Sequence, residues 1–287
     1  MLTRFALCLL LACSLCMAIC AAAVPTPAQP PLPKTKINPK DGAAMVLIPA
    51  GSFLMGTSEA QLATMLKAHP AYKRERYTHE MPQHPVYLDA YYLYKNDVTV
   101  AEYRTFCTAT GRKMPAAPDW GWIDTHPMVN VSWTDAKAYS DWAGVVLPTE
   151  AQWEKAARGT DGRVYPWGND WDAAKCSNSV GATHPGKTSP VGAFPAGASP
   201  YGCLDMAGNV WQWCADWYGA DYYTTSPAKN PTGPSTGTGR VLRGGSWMYD
   251  IGLACIYFRG ADRDYNNPLG YWDSDLGFRC VSLSPGP

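Results

Sequence analysis

The sequence predicts a mixed fold in which short strands and short helices alternate with long loops. Glycine, proline, tryptophan and tyrosine number 26, 25, 12 and 17 among the 287 residues, so aromatic side chains rather than long helices are expected to supply the packing mass. Helical periodicity is almost absent from residues 159–240. The formal net charge is zero, which argues against nucleic acid or an anionic membrane as the main partner, because both favour basic surfaces.

The first half of the chain carries the clearest signals of regular structure. Residues 45–49 and 51–56 are predicted to form two strands joined by a glycine turn, and residues 86–94 are predicted to continue as strand. Helices are predicted over residues 58–68 and after three capping residues. These caps are Thr99, Ser132 and Thr149, of which the last two begin stretches with capping-box spacing.

The first 23 residues have the layout of a secretory signal peptide. Arg4 precedes an apolar run over residues 5–19, and a small-residue end follows at 21–23. The run is too short and wrongly flanked for a spanning helix. We therefore expect an exported protein that is periplasmic, secreted or surface-anchored, with cleavage near residue 23. Acylation of Cys13 or Cys20 is the alternative, and only this would attach the chain to a membrane.

Residues 24–42 are rich in proline and lack aromatic residues, which predicts an extended linker. The folded part is then expected over residues 43–284, a length that suits one large domain or two small ones. Six of the ten cysteines lie beyond the signal segment. An even number in an exported chain is compatible with disulfides. Cys203 and Cys214 are close in sequence around a turn and form one candidate pair.

The last part of the chain has the pattern of a functional loop held between two strands. Residues 240–247 and 276–280 are typical of strands, whereas the stretch between them, residues 248–275, has no regular hydrophobic period. Long irregular loops with fixed ends commonly carry binding and catalytic side chains. This stretch is rich in tyrosine, tryptophan and aspartate, a composition suited to recognition. The same aromatic residues would equally serve as core in a fold with little secondary structure.

Eight short motifs, found in order, resemble the formylglycine-generating enzyme or sulfatase-modifying-factor family. They are Met45–Gly56, Asp97–Thr99 with Glu102–Tyr103, Pro127–Trp133, Leu147–Glu154, Tyr165–Gly168, Gly208–Trp213, Arg243–Trp247 and Gly277–Arg279. They extend over residues 43–282, nearly the whole mature chain. The resemblance implies one compact α+β domain with little regular secondary structure, a variant of the C-type lectin fold.

The resemblance also implies the location of a site. The family's enzyme oxidises a sulfatase cysteine to formylglycine with O2 and a copper ion held by two cysteines after the Gly-Gly-Ser motif, and soft thiolates suit copper(I). The first of these positions is Tyr249 here, and the second falls at Ala254 or Cys255. Copper is therefore not expected as a cofactor. The candidate catalytic residues are Ser246, Trp247, Tyr249, Cys255 and Arg259.

Two functions remain open at this stage. The first is an exported family member that acts on or binds a peptide or small aromatic substrate in a groove formed by the 246–275 loop, with oxidation as the reaction. The second is a non-catalytic module on a lectin-type scaffold that recognises a protein or another ligand through residues 248–275. A monomer is expected in either case. Arg259 or Arg263 is expected to be buried in an ion pair with an acid such as Asp262 or Asp275.

Calcium is the cofactor that the resemblance implies. One family site maps onto Asp205, the carbonyls of Gly208 and Val210, and Gln212, where a glutamate is usual. The other includes Asn178 and the carbonyl of Ser179. Calcium prefers several hard oxygen ligands. The loss of one charge at Gln212 is therefore expected to weaken binding at the first site without abolishing it.

Overall fold

The computed structural model of the chain describes residues 33–68, 70–71, 73–180, 186–249, 259–262 and 273–283. The strands are β1 (Thr35–Ile37), β2 (Ala44–Ile48), β3 (Gly51–Met55), β4 (His84–Leu88), β5 (Tyr91–Tyr94), β6 (Trp211–Trp217), β7 (Arg240–Arg243), β8 (Arg259–Asp262), β9 (Leu276–Gly277) and β10 (Val281–Ser282). The helices are α1 (Glu59–Ala68), α2 (Val100–Thr110), α3 (Trp133–Ala143) and α4 (Glu150–Arg158). The predicted mixture of short strands and short helices is confirmed.

The strands form three small sheets. β1, β2, β5 and β10 pair antiparallel in that order, and β3 pairs with β4. The third sheet has the order β8-β7-β6-β9, with β6 and β9 parallel. Gln212 on β6 lies opposite both Arg243 and Gly277. The stretch over residues 248–275 is called the closing loop below. Its two ends are therefore held on either side of β6.

Three of the helices begin at the predicted caps. Thr99, Ser132 and Thr149 each accept a hydrogen bond from the backbone N–H three residues on, and the side chain at that position returns a bond to the cap's own N–H. This reciprocal pattern satisfies backbone donors that a helix start would otherwise leave without partners. α2 and α3 then end at Gly111 and Gly144, whose φ of 70° is left-handed in each case.

The domain begins earlier than the composition predicts. β1, which lies within the predicted linker, pairs with β2, and Asn38 is buried. Asp41 then accepts hydrogen bonds from the phenols of Tyr94 at 2.6 Å and Tyr139 at 2.7 Å. Extended backbone is what strand pairing requires, so the proline-rich composition correctly predicted its shape but not its attachment. The predicted signal peptide at residues 1–23, the part of the predicted linker up to residue 32 and residue 284 lie outside the described residues.

Aromatic rings fill much of the interior. Tyr103, Phe106, Tyr139 and Phe278 pack with ring centroids 5.2 to 6.4 Å apart. Trp153, which is fully buried, lies in a second group of apolar side chains with β2, β3 and β4. The expectation that aromatic residues supply the packing mass is confirmed.

The five cysteines among the described residues are all buried. Cys203 and Cys214 are both fully buried and are not joined by a disulfide, so the candidate pairing between them is wrong. Each packs in the core as a small apolar side chain, and burial raises the pKa of Cys203. The described residues belong to a single structural unit. None of the helices within that part of the chain has the length and apolar character needed to cross a membrane.

Candidate functional site

Two buried arginines fix the ends of the closing loop. Arg243, at the end of β7, is fully buried and contacts Glu154 at 2.7 Å and Glu150 at 3.3 Å, both on α4. Because a buried charge is stable only when it is paired and hydrogen-bonded, these contacts tie the start of the Gly-Gly-Ser-Trp motif to a helix. The Arg-Gly-Gly segment is therefore part of the scaffold.

Arg279 has the same role at the other end. Its guanidinium is fully buried, and it donates to Asp97 Oδ1 at 3.0 Å and to Gln212 Oε1 at 2.7 Å. The remaining N–H groups reach four backbone carbonyls, those of Tyr94, Lys95, Leu204 and Asp205. The guanidinium has five N–H donors for these six acceptors, so at least one N–H is shared between two of them. Arg279, which lies between β9 and β10, thus joins this end of the closing loop to β5 and to the 204–205 turn.

Ser246 lies between these anchors. Its hydroxyl donates to Asp275 Oδ2 at 2.7 Å and accepts from the backbone N–H of Met248 at 3.3 Å. Both Ser246 and Asp275 are buried, and burial raises the pKa of Asp275 to about 6 although the Ser246 hydrogen bond opposes the rise. The backbone N–H of Tyr249 also donates to the Ser246 carbonyl. Ser246 therefore shapes the turn that presents Met248 and Tyr249.

Four aromatic rings surround this turn, and we call them the aromatic surface: Trp120, Trp211, Trp247 and Tyr249. Trp120 meets Trp247 edge to face with centroids 5.6 Å apart, and Trp211 meets Tyr249 in the same way at 5.9 Å. Trp247 is fixed by its backbone N–H on the Asn209 carbonyl and by its indole N–H on the Ser274 carbonyl. Tyr249 remains 38% exposed. The turn thus presents rigid rings with one phenol open to solvent.

The structure brings three of the five predicted catalytic residues together, namely Ser246, Trp247 and Tyr249. Cys255 lies outside the described residues. Arg259 is placed only by its backbone, which pairs with Arg243 between β8 and β7. Its predicted ion pair, and that of Arg263, also fall outside what the structure describes.

Trp120, Trp211 and Asp275 are neighbours of the turn that were not among the candidates. Trp211 belongs to the Gly-Asn-Val-Trp motif, so its position in a family motif was an available signal. Trp120 lies in the irregular segment between α2 and α3, where no periodic pattern pointed to it. Asp275 was considered only as a partner for arginine, whereas its described side-chain contact is with Ser246.

The predicted calcium ligands lie in two hydrogen-bonded turns. Asn178 accepts from Val180 N–H and donates to the carbonyls of Ala173 and Cys176, and the Ser179 N–H donates to the Tyr249 carbonyl. Asp205 accepts from Gly192 N–H at 2.7 Å. The polar atoms of Gln212 contact protein groups at 2.6 to 2.7 Å. Calcium at these residues stays a prediction, and Gln212 is the ligand that fits it least.

The position that holds the first copper-binding cysteine in the family's enzyme carries a different kind of side chain here. A phenol stands at Tyr249, and a hard oxygen is a poor substitute for the soft thiolate that copper(I) selects. Among the described residues, no group of three or more histidine, cysteine or acidic side chains is arranged to hold a metal ion. The arrangement around Ser246 instead offers aromatic contact area, one exposed phenol and a buried carboxyl group.

Comparison with known proteins gives a consistent match over the folded chain. The formylglycine-generating enzyme of Streptomyces coelicolor is 34% identical over 320 residues, which covers 91% of this chain and 96% of the relative. The inactive C-alpha-formylglycine-generating enzyme 2 of Bos taurus is 39% identical over 187 residues, or 61% of this chain and 57% of the relative. The structure of PvdO from Pseudomonas aeruginosa superposes with a TM-score of 0.72 at 26% identity, over 88% of this chain and 99% of that one.

The family model agrees with these relatives. The sulfatase-modifying factor enzyme 1-like domain matches residues 31–283. The matched range begins before β1 and ends after β10, in agreement with the limits of the described fold. The buried arginines of the Arg-Gly-Gly and Gly-Phe-Arg motifs explain why these sequences accompany the fold. The chain therefore belongs to the sulfatase-modifying factor enzyme 1-like family.

Proposed function

We propose that this chain binds a peptide or a small aromatic substrate on the aromatic surface, and that the reaction of the active protein is oxidation of the bound substrate by O2, which takes up the electrons and protons that the substrate loses. One observation carries the proposal: two edge-to-face ring pairs flank the buried Ser246–Asp275 hydrogen bond and leave Tyr249 partly exposed. Edge-to-face contact is a preferred geometry between aromatic rings. An incoming ring can therefore pack against the surface without rearranging it.

The rigidity of the surface supports recognition. Trp247 makes two hydrogen bonds to backbone carbonyls, and the turn that carries Tyr249 is closed by the Ser246 hydroxyl and carbonyl. Side chains that are already ordered lose little conformational entropy when a ligand binds. The Tyr249 phenol has both a donor and an acceptor to offer a substrate. We assign Tyr249 to substrate contact and Ser246 with Asp275 to holding the turn.

A second function, a non-catalytic binding module, is favoured by the residue at position 249. Tyrosine stands where the family's oxidase carries its first copper thiolate, and a relative that is 39% identical over 187 residues bears the name of an inactive enzyme. In this alternative, a C-type-lectin-like scaffold presents the 248–275 loop to a protein or another ligand. The same aromatic surface would then bind without chemistry.

The proposal includes export. The layout of residues 1–23 supports a signal peptide, which would place the site in the periplasm, outside the cell or at the surface. Fractionation of cells that express the full chain tests this directly. We expect a shortened protein that begins near residue 24 in the exported fraction. A full-length protein retained in the cytosol would contradict it.

The reaction is tested by mass spectrometry. The purified chain is incubated in air, with and without added copper, with a cysteine-containing sulfatase peptide or with a tyrosine-containing peptide. We expect an oxidised tyrosine peptide and no loss of the sulfatase thiol. Saturable binding with neither product would support the binding module. Conversion of the cysteine peptide to formylglycine would contradict the role given to Tyr249.

A further inference from the structure

The side-chain amide of Gln212 has an unusually complete set of partners. Gln212 is fully buried, and its oxygen accepts from Trp153 Nε1 at 2.6 Å and from Arg279 Nε at 2.7 Å. Its nitrogen donates to the backbone carbonyl of Asp205 at 2.7 Å. The reverse placement of oxygen and nitrogen would set the NH2 group against two N–H donors. The hydrogen-bond network therefore fixes the orientation of the amide.

This orientation leaves no acceptor for a metal ion. A carbonyl oxygen offers two lone pairs, and on Gln212 both are used by N–H donors. One of these donors is the Nε–H of Arg279, and the other is the indole N–H of Trp153. Without Gln212, the implied site keeps Asp205 and two backbone carbonyls. Calcium usually takes six to eight oxygen ligands, so the remaining set is a poor one.

The same turn is already held by protein groups. Asp205, Gly208 and Asn209 all have positive φ, at 54°, 76° and 66°. Asp205 Oδ2 accepts from Gly192 N–H, and Gly208 N–H donates to the Gly244 carbonyl at 2.8 Å. For the non-glycine residues Asp205 and Asn209, such left-handed conformations persist only when the surroundings determine them strongly. Here hydrogen bonds supply that determination.

The Asn209 side chain strengthens the turn further. Its oxygen accepts from Ser189 N–H at 2.9 Å, and its nitrogen donates to the Ser189 carbonyl at 3.2 Å. Gly208 packs so closely that a Cβ there would lie 2.1 Å from the Ser177 carbonyl oxygen. The turn is thus locked against Ser177 and Ser189 by contacts within the protein.

We propose that the Gln212 amide takes the place of the calcium ion that the family resemblance implies at the 205–212 turn, so that this turn is stable without calcium. The amide nitrogen satisfies the Asp205 carbonyl as a bound cation would. A glutamate at this position would place a carboxylate oxygen beside that carbonyl. Two oxygens this close repel each other unless a cation lies between them.

A single substitution at Gln212 should therefore create a calcium response. In the wild-type chain, the Tm should be the same in EDTA and in millimolar calcium. The Gln212→Glu variant should melt about 5 °C lower in EDTA and recover most of that loss when calcium is added. Gln152→Glu is the matched control, because Gln152 is a half-buried residue in the first turn of α4, where its side chain completes the Thr149 capping box. Its Tm should not respond to calcium.

The wild-type chain provides a test that does not depend on folding of the variant. Calcium is titrated calorimetrically into the wild type and into Asp205→Asn. Absence of binding in the wild type, or binding that Asp205→Asn leaves unchanged and that therefore arises elsewhere, agrees with the proposal. Saturable binding that stabilises the wild type and is lost in Asp205→Asn would overturn it. An equal Tm of Gln212→Glu in EDTA and calcium, in a folded protein, would also contradict it.

Discussion

The hydroxyl of Ser246 donates a 2.7 Å hydrogen bond to the carboxylate of Asp275, and this contact joins the start of the closing loop to its end. Both partners are buried. The two residues lie beside β7 and β9, which flank β6 on its two sides. The two ends of the closing loop are therefore held together by the neighbouring strands β7, β6 and β9 and by the Ser246–Asp275 hydrogen bond. This pair positions the turn that carries Tyr249.

Removal of the Asp275 acceptor should loosen that turn. In Asp275→Ala, the buried Ser246 hydroxyl loses its partner, which should lower the free energy of unfolding by about 1–3 kcal/mol. Asp275→Asn keeps an acceptor oxygen and should lose much less. Urea unfolding measures both variants. Equal losses of unfolding free energy in the alanine and asparagine variants would show that the Ser246–Asp275 hydrogen bond does not cause the loss.

The pH dependence of stability gives a separate test of Asp275. Burial raises its pKa to about 6 from an ordinary value of 3.8, so the folded state binds this proton more tightly than the unfolded state. The contribution of Asp275 to stability should therefore fall as pH rises from 4 to 6, by at most about 3 kcal/mol. Urea unfolding at several pH values should show Asp275→Asn gaining on the wild type over this range. A constant difference between the two proteins would be the contrary result.

The early start of the domain leads to a prediction about truncation. A chain that begins at residue 33 keeps β1 and Asp41 and should melt like one that begins at residue 24. A chain that begins at residue 43 loses the strand and leaves the buried phenols of Tyr94 and Tyr139 without their shared acceptor. Its free energy of unfolding should drop by several kcal/mol, at about 1–3 kcal/mol for each buried polar group. An equal Tm for all three chains would instead support the domain start at residue 43 that the composition predicts.

Arg240 is predicted to require its planar guanidinium. The group lies 3.8 Å from the ring centroid of Trp133 and 3.5 Å from that of Trp217, and burial lowers its pKa to about 10. An ammonium group cannot stack between two rings. Arg240→Lys should therefore lose about 1–2 kcal/mol of stability. Arg74→Lys, which alters an exposed ion pair with Glu59, should change it by less than about 0.5 kcal/mol.

Much of the scaffold was predictable from local sequence. The capping residues Thr99, Ser132 and Thr149 act within one helical turn, so their roles follow from neighbours three positions away. The predicted strand at 51–56 depended on a glycine turn in the same way. The family motifs then identified the ends of the closing loop. Their arginines, Arg243 and Arg279, mark the most strongly determined positions of the fold.

The remaining contacts join residues that no local pattern connects. Trp120 meets Trp247 because the irregular segment after α2 folds across the site, and nothing periodic in that segment reveals it. Asp41 belongs to a stretch whose composition is typical of a linker, although two tyrosines from distant elements bind it. The role of Gln212 likewise depends on Trp153 and Arg279, which are distant in sequence and contact it only in the folded chain.

We expect the aromatic surface around Ser246 to bind an aromatic ligand. Tryptophan fluorescence, recorded while a tyrosine-containing peptide is titrated into the wild type, Trp247→Ala, Tyr249→Ala and Trp167→Ala, tests it most directly. Trp167 is half-buried, and its ring contacts among the described residues are with Tyr165 and Trp171, so its variant is the matched control. We expect saturable binding by the wild type and Trp167→Ala and at least about tenfold weaker binding by the other two, equivalent to 1.4 kcal/mol. Equal affinity in all four proteins would contradict the claim.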